Sequence, residues 1–216
     1  TGPLVVIGAH YDTVPGSPGA DDNASGVAAA LEIARVLARA EPRARVRCAF
    51  FVNEEPPWFQ TADMGSLHYA RRLRERGDDV AGMLSLESIG YYAGAKGSQR
   101  YPFPLGLAYP DVGNFIGIVA DRARRALVRR VVRAFERHTR FPVVGAAVPA
   151  WVPGVSWSDQ WSFWQHGYPA VMVTDTAPFR NPHYHTEGDT PDRLDYAALA
   201  TVTEALAAVV RDLAAV

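Results

Sequence analysis

Leu4-Val5-Val6-Ile7-Gly8-Ala9 leads directly into His10-Tyr11-Asp12. The first six residues are apolar, rich in branched side chains and free of polar alternation. That is the pattern of a strand buried on both faces, as in a parallel sheet covered by helices on either side. A histidine at the carboxyl end of such a strand can turn its ring into the crevice where open α/β sheets bind their ligands.

The chain downstream repeats the alternation of strand and helix. A Gly/Pro-rich loop from His10 to Asn23 precedes a helix that starts near Ser25, buries Leu31, Ile33, Ala34, Leu37 and Ala38, and ends at Pro42. Val46 to Val52 is a second strand, stopped by Glu54-Glu55-Pro56-Pro57, because proline cannot donate to a ladder. Asp63 is placed to cap a helix to about Arg76, closed by Gly77. Met83 to Leu86 is a third strand ending at Glu87, and Gly90 to Gly113 reads as irregular. Phe115 to Ala120 is a strand, followed by a helix from Asp121 to about His138 and a loop from Phe141 to Ser156. A short aromatic helix begins at Ser158 or Asp159 and ends at Gly167; Ala170 to Val173 is a strand. The last helix starts near Pro191-Asp192 and runs to the C-terminus. This order predicts a three-layer α/β/α sandwich around a mostly parallel, mixed central sheet. With no repeat or low-complexity linker, residues 1–216 read as a single domain.

Composition narrows the chemistry. A formal net charge of -1 gives no field that would draw nucleic acid or an anionic membrane. No apolar run approaches the roughly 20 residues that span a bilayer, and Thr1 opens no signal-peptide pattern. Cys48 is the only cysteine, so an internal disulfide and a thiolate zinc site are both excluded. In its apolar run it reads as a small core residue, and it sets no redox compartment. Cytoplasmic and secreted locations both fit. Any metal must be held by His, Asp and Glu.

The polar residues of interest fall at strand ends. Asp12 could accept the second ring N–H of His10 and fix its tautomer. Gly19-Ala20-Asp21-Asp22-Asn23-Ala24-Ser25-Gly26 sets two acids at a helix start, where capping would explain one of them. Glu54-Glu55 has no basic neighbour in sequence, so the two carboxylates repel unless a cation or proton separates them. Taken alone, that pair reads as solvated loop acids. Glu87 ends a buried strand and needs a partner, which an arginine or a metal could supply. His183 and His185, two apart on a segment read as extended, face the same side, so either could be a ligand. Together these residues put carboxylates and imidazoles at one edge of one sheet. Such donors suit zinc, and also manganese or cobalt.

The order of these motifs resembles family twenty-eight of the metallopeptidases, which includes bacterial leucyl aminopeptidases, glutamate carboxypeptidase and the glutaminyl cyclases. Gly8-Ala9-His10-Tyr11-Asp12-Thr13, the Gly19–Gly26 stretch, Glu54-Glu55 and Pro182-His183-Tyr184-His185-Thr186 carry the resemblance. It implies the zinc-peptidase form of the sandwich and two zinc ions held by His10, Asp22, Glu55, Glu87 and His185. Asp22 would bridge the two ions, with a cis Asp22–Asn23 peptide, and Asp12 would orient His10. Glu54 would be the general base, and Tyr184 would stabilise the oxyanion. Asp159 stands in Ser158-Asp159-Gln160 where relatives often have Ser-Asp-His, so Gln160 is a departure. Relatives also usually carry about two further strands before His10, so the resemblance implies that this sequence is a trimmed piece lacking some N-terminal strands of the family.

The function implied is hydrolysis of peptides from the amino end. Three rivals stand beside it: a single-zinc glutaminyl cyclase, a carboxypeptidase using Arg100 or Arg180, and a silent binding domain on the same fold. Trp151, Tyr91 and Phe179 are the residues expected to wall an apolar pocket for the first side chain of a peptide substrate, within an aromatic set that includes Trp157, Trp161 and Trp164.

Overall fold

The computed structural model describes residues 3–39 and 45–215. Six strands form one sheet: β1 Leu4–His10, β2 Arg45–Phe51, β3 Val80–Glu87, β4 Ile116–Asp121, β5 Val143–Val148 and β6 Ala170–Thr174, in the spatial order β2-β1-β3-β6-β4-β5. Every pairing is parallel except β4 with β6. All seven residues of β1 and all five of β6 are buried, as their unbroken apolar runs require. Edge strand β2 alternates less and is half-buried over Val46–Cys48.

Helices cover both faces. α1 Gly26–Leu37, α3 Arg125–His138 and α6 Tyr196–Ala214 pack on one another as one layer, while α2 Gly65–Glu75 and α4 Gln160–Gln165 form the other. The result is the three-layer α/β/α sandwich around a mostly parallel, mixed sheet that the strand–helix order predicts. Among the described residues, no helix is long and apolar enough to cross a membrane.

Several local expectations differ from what is found. The stretch 141–156 is not all loop, because it contains β5. Gly145, Ala146 and Ala147 weaken its apolar signal, and as an edge strand it is only half-buried. α6 starts later than Pro191-Asp192. Pro191–Arg193 makes a 3-10 turn, and Asp195 then caps α6 by accepting from the Ala198 N–H at 2.9 Å. Asp63 caps nothing; α2 follows Met64 without a side-chain cap. The expected helix stop at Pro42 lies outside the described residues.

The direction of the strands decides where function can sit. β1, β2, β3 and β6 all end at the same edge, and their last residues or the loops beyond them carry the polar motifs. The loop between β1 and α1 is pressed onto the end of β3. A Cβ at Gly26 would overlap Asn23 Oδ1 and stand 2.8 Å from the Leu86 carbonyl oxygen, so only glycine allows that approach.

Candidate metal centre

His10 is fully buried at the end of β1. Its Nδ1 lies 3.1 Å from the Asp12 backbone oxygen and 3.6 Å from the Asp12 carboxylate. The carbonyl is therefore the nearer partner that fixes the ring. The Asp12 side chain instead accepts from the Glu55 N–H at 3.1 Å and ties the end of β2 to the end of β1. The other ring nitrogen, Nε2, faces Asp22 Oδ1 at 3.2 Å, Glu87 Oε2 at 3.3 Å and Glu54 Oε2 at 3.7 Å.

Asp22 also reaches in a second direction. Its Oδ2 lies 3.0 Å from His185 Nε2, which in turn is 3.3 Å from Glu55 Oε2. The Asp22–Asn23 peptide is cis. Asn23 fastens this loop to β3: its Nδ2 donates to the Leu86 carbonyl at 2.8 Å, and its Oδ1 accepts from the N–H groups of Ser88 and Gly26. Ser25 adds a bond from the Ile89 N–H to its Oγ at 3.0 Å.

Glu87 is held by a residue that sequence reasoning passed over. Ser158 Oγ donates to Glu87 Oε2 at 2.6 Å and sits 3.1 Å from Ser85 Oγ. Asp159, next in the chain, is fully buried with both carboxylate oxygens unpaired. His183 and His185 do not share a face of an extended segment. They lie in consecutive turns, and His185 adopts a left-handed backbone at φ 58. Tyr184 stacks on the His185 ring, 3.8 Å between centroids.

The electrostatics are those of crowded acids. Burial, reinforced by Glu87, Asp159 and Glu55, pushes the Glu54 carboxyl well above the ordinary range against the pull of His10. Burial likewise lifts Glu87 to about 7 and Asp159 to about 6. For His10, burial would depress the pKa, but the Glu87 and Glu54 carboxylates outweigh it and raise it well above an ordinary imidazole. His185, also depressed by burial alone, is raised to about 9 through Asp22 and Glu55. Burial and the four surrounding acids push the Tyr184 phenol far up, so it stays an O–H donor.

The donor set fits a metal ion. His10 Nε2, Asp22 Oδ1 and Glu55 Oε1 are buried without a hydrogen-bond partner, although oppositely charged groups stand close by. Single ligand atoms of His10, Asp22 and Glu55 all lie within 4.8 Å of one another. Oxygen and imidazole nitrogen without thiolate is zinc, manganese or cobalt chemistry. A divalent cation amid these groups would reverse the upward carboxylate shifts.

An apolar cavity opens beside this centre. Glu87 and Tyr184 line its polar end, and Phe115, Trp157, Met172 and Phe179 line its body. Trp157 and Phe179 stack at 6.4 Å with 17° between planes. Phe179 lines this cavity, whereas Trp151 and Tyr91 do not. Trp151 is 82% exposed on its loop, and the backbone N–H of Tyr91 is bound to Asp175. Sequence distance alone could not separate Trp151 from Trp157, because the turn at Pro153-Gly154 decides which ring faces inward.

A three-layer α/β/α domain with carboxylates and histidines gathered at the ends of parallel strands is what fold and site define. The family model described as Peptidase family M28 matches residues 2–210, and the chain belongs to that family. It is 43% identical over 212 residues to the uncharacterized protein YfbL of Escherichia coli K12, covering 94% of this chain and 65% of that one. It is 27% identical over 204 residues to a probable leucine aminopeptidase 1 of Trichophyton verrucosum, covering 89% of this chain and 50% of that one. The structure of LapB from Legionella pneumophila superposes with a TM-score of 0.76 at 25% identity, covering 99% of this chain and 52% of that one. The chain therefore spans between about half and two thirds of the length of these relatives.

Two expectations follow. In metal-free protein, Glu87 near 7 and His185 near 9 bind protons more tightly folded than unfolded. Stability is then highest in mild acid and falls as pH rises from about 5 to 9. Melting curves of the zinc-free protein across that window should show a falling Tm, and saturating zinc should flatten the trend, since zinc binding releases the same protons. A metal-free Tm that rises over this range would contradict the burial of these groups.

Asp21 and Asp22 should separate by readout. Asp21 is not a bystander of the turn: buried, it accepts from the Gly90 N–H and from Asn181 Nδ2, each at 2.9 Å. Asp21→Ala leaves those donors unpaired and should lower stability by about 1–3 kcal/mol even without metal. Asp22→Ala removes an acid that, despite its burial, pairs with both His10 and His185 and is held by them far below the ordinary carboxylate range, so it should lower the metal-free Tm as well, and zinc content should collapse. Elemental analysis with parallel melts checks both.

Proposed function

We propose that this domain is a zinc-dependent exopeptidase, most specifically an aminopeptidase with two zinc ions that removes apolar N-terminal residues from peptides. The observation that carries the reading is the double face of Asp22. One oxygen turns to His10, beside Glu87, and the other to His185, beside Glu55, at 3.2 and 3.0 Å. His10, Glu87 and Asp22 would hold one ion; His185, Glu55 and Asp22 would hold the other. Zinc bound by these residues would supply Lewis acidity toward a carbonyl oxygen and a more acidic water at neutral pH.

The chain's own residues supply the rest. Glu54, buried with its Oε2 3.7 Å from His10 Nε2, takes the proton of the attacking water and returns it to the leaving amine. The Tyr184 O–H, kept protonated by its acidic surroundings, donates to the developing oxyanion. Asp12 and Ser158 hold His10, Glu55 and Glu87 in place. Asp159 adds negative potential behind Glu54 and helps keep the base's affinity for a proton high.

Polarity favours the amino end of the substrate. The described residues lining the cavity include no arginine or lysine. Arg180 is buried elsewhere, donating to Gln99 and to the Phe115 carbonyl, and Arg100 is likewise absent from the wall. A substrate carboxylate would find no cationic side chain in this lining, whereas an amine could face Glu87. A second reading keeps a single ion, as in a cyclase-like enzyme. It is favoured by the compact His10–Asp22–Glu55 group, which could hold one ion alone. Zinc stoichiometry decides: two equivalents per chain support hydrolysis by paired ions, and one equivalent with cyclisation of N-terminal glutamine supports the second reading.

Glu54→Gln should retain both metals and lose on the order of 100- to 10,000-fold in turnover. Loss of zinc in that variant would make Glu54 a ligand instead of a base.

The cavity body should discriminate by burial. Leucyl, methionyl and phenylalanyl amides should be cleaved roughly ten- to two-hundredfold faster than glutamyl, aspartyl or lysyl amides at fixed zinc. Equal turnover across such a panel would reject the apolar pocket as the determinant.

A further inference from the structure

The turn that carries Tyr184 and His185 is fastened at both ends to the dipeptide that carries Asp22. At the front, Asn181 Nδ2 donates to Asp21 Oδ2 at 2.9 Å, while Asn181 Oδ1 accepts from the His183 N–H at 2.9 Å. At the rear, the Asp189 carboxylate accepts from two successive N–H groups, those of Asp21 at 3.0 Å and Asp22 at 3.1 Å. The Asp189 carbonyl accepts a third bond from the Ala20 N–H at 3.1 Å. Asn181 and Asp189 are both buried, and the side-chain bonds to the Asp21–Asp22 loop join residues 160 to 168 positions apart.

His185 needs such an external support. A metal-bound histidine ordinarily has its second ring nitrogen fixed by a carboxylate, carbonyl or water. His10 has the Asp12 carbonyl in that place. Among the described residues, no hydrogen bond holds His185 Nδ1. Its ring packs on Tyr184 of the same turn, its side chain is 32% exposed and its backbone is left-handed. The separation of His185 from Asp22 is therefore set by the backbone of the turn, and the turn is set by its two anchors.

We propose that Asp189 and Asn181 are positioning residues for the metal centre. They clamp the His185 turn onto the Asp21–Asp22 loop and so fix the distance between two donors drawn from opposite ends of the chain. This rests on the reading of His185 and Asp22 as ligands of one ion. Asp189 is the stronger clamp, because its carboxylate grips the backbone of Asp22 directly. Asp189→Asn keeps the size but replaces one acceptor with a donor facing a buried N–H.

The test measures zinc affinity by chelator competition, and the Tm of zinc-free and zinc-loaded protein, for wild type, Asp189→Asn and the milder Asn181→Ala. The expected result is a roughly 10- to 100-fold loss of zinc affinity in Asp189→Asn and a smaller loss in Asn181→Ala, the range typical of an orienting partner of a ligand. The zinc-induced rise in Tm should shrink in the same order. In a His185→Ala background, the further loss of affinity from Asp189→Asn should be much smaller than in wild type, since one of the two donors whose separation it fixes is gone. Equal Tm losses with and without zinc at unchanged affinity, or full additivity with His185→Ala, would overturn the clamp and leave a purely structural bond. Wild-type protein that binds no zinc would instead bring down the metal reading itself, and the clamp with it.

Discussion

The organising constraint is the burial of Asp22, Glu54, Glu55 and Glu87 within one small volume at a sheet edge. Buried carboxylates repel and lose hydration, so a fold that gathers four of them must supply cations, protons or hydrogen-bond donors. Among the described residues, the neutral hydrogen-bond donors that meet these carboxylates are the Ser158 and Ser88 hydroxyls, both on Glu87. Neutral donors orient an acid without neutralising it. The charge left over falls on His10 and His185, whose raised affinity for protons measures how much positive charge the cluster still demands. Metal binding satisfies the same demand by displacing those protons.

That demand explains why the surrounding loops are so heavily bonded. The Asp21–Asp22–Asn23 stretch is held from three sides: by Asn23 and Ser25 to the end of β3, by Asp21 to Gly90 and Asn181, and by Asp189 from beneath. Without such tethers the acids would move apart into water. The lack of a Cβ at Gly26 belongs to the same device, because it lets the loop lie against the Leu86 carbonyl.

How much of this could be read beforehand depended on locality. His10 and Glu87 stand out because each ends an apolar strand, where the last side chain can meet the crevice; Glu54 and Glu55, beyond the end of β2, read alone as solvated loop acids and stand out only through the family resemblance. Ser158, Asn181 and Asp189 do not stand out, since a serine or asparagine in a loop has no signal until its partner is known, and Asp189 finds its partners 167 and 168 residues away. β5 was missed because Gly145 and two alanines dilute an edge strand that is only half-buried. The segment around His185 was misjudged because a left-handed residue in a turn looks, in sequence, like any other polar residue between prolines.

The reversal of β4 completes the site. β1, β3 and β6 bring charged or hydrogen-bonding residues to the edge as they end. β4 runs the other way and reaches that edge as it begins, with Phe115 and Gly117 beside Thr174 of β6. No loop following a parallel strand has to pass there, so the floor of the cavity can be apolar within a few residues of Glu87. A Cβ at Gly117 would stand 3.1 Å from the Thr174 carbonyl, which keeps the two strands close at that point. One sheet thereby presents a polar row of acids beside a recess lined mostly by apolar residues. The boundary between them is drawn by the single antiparallel pairing between β4 and β6.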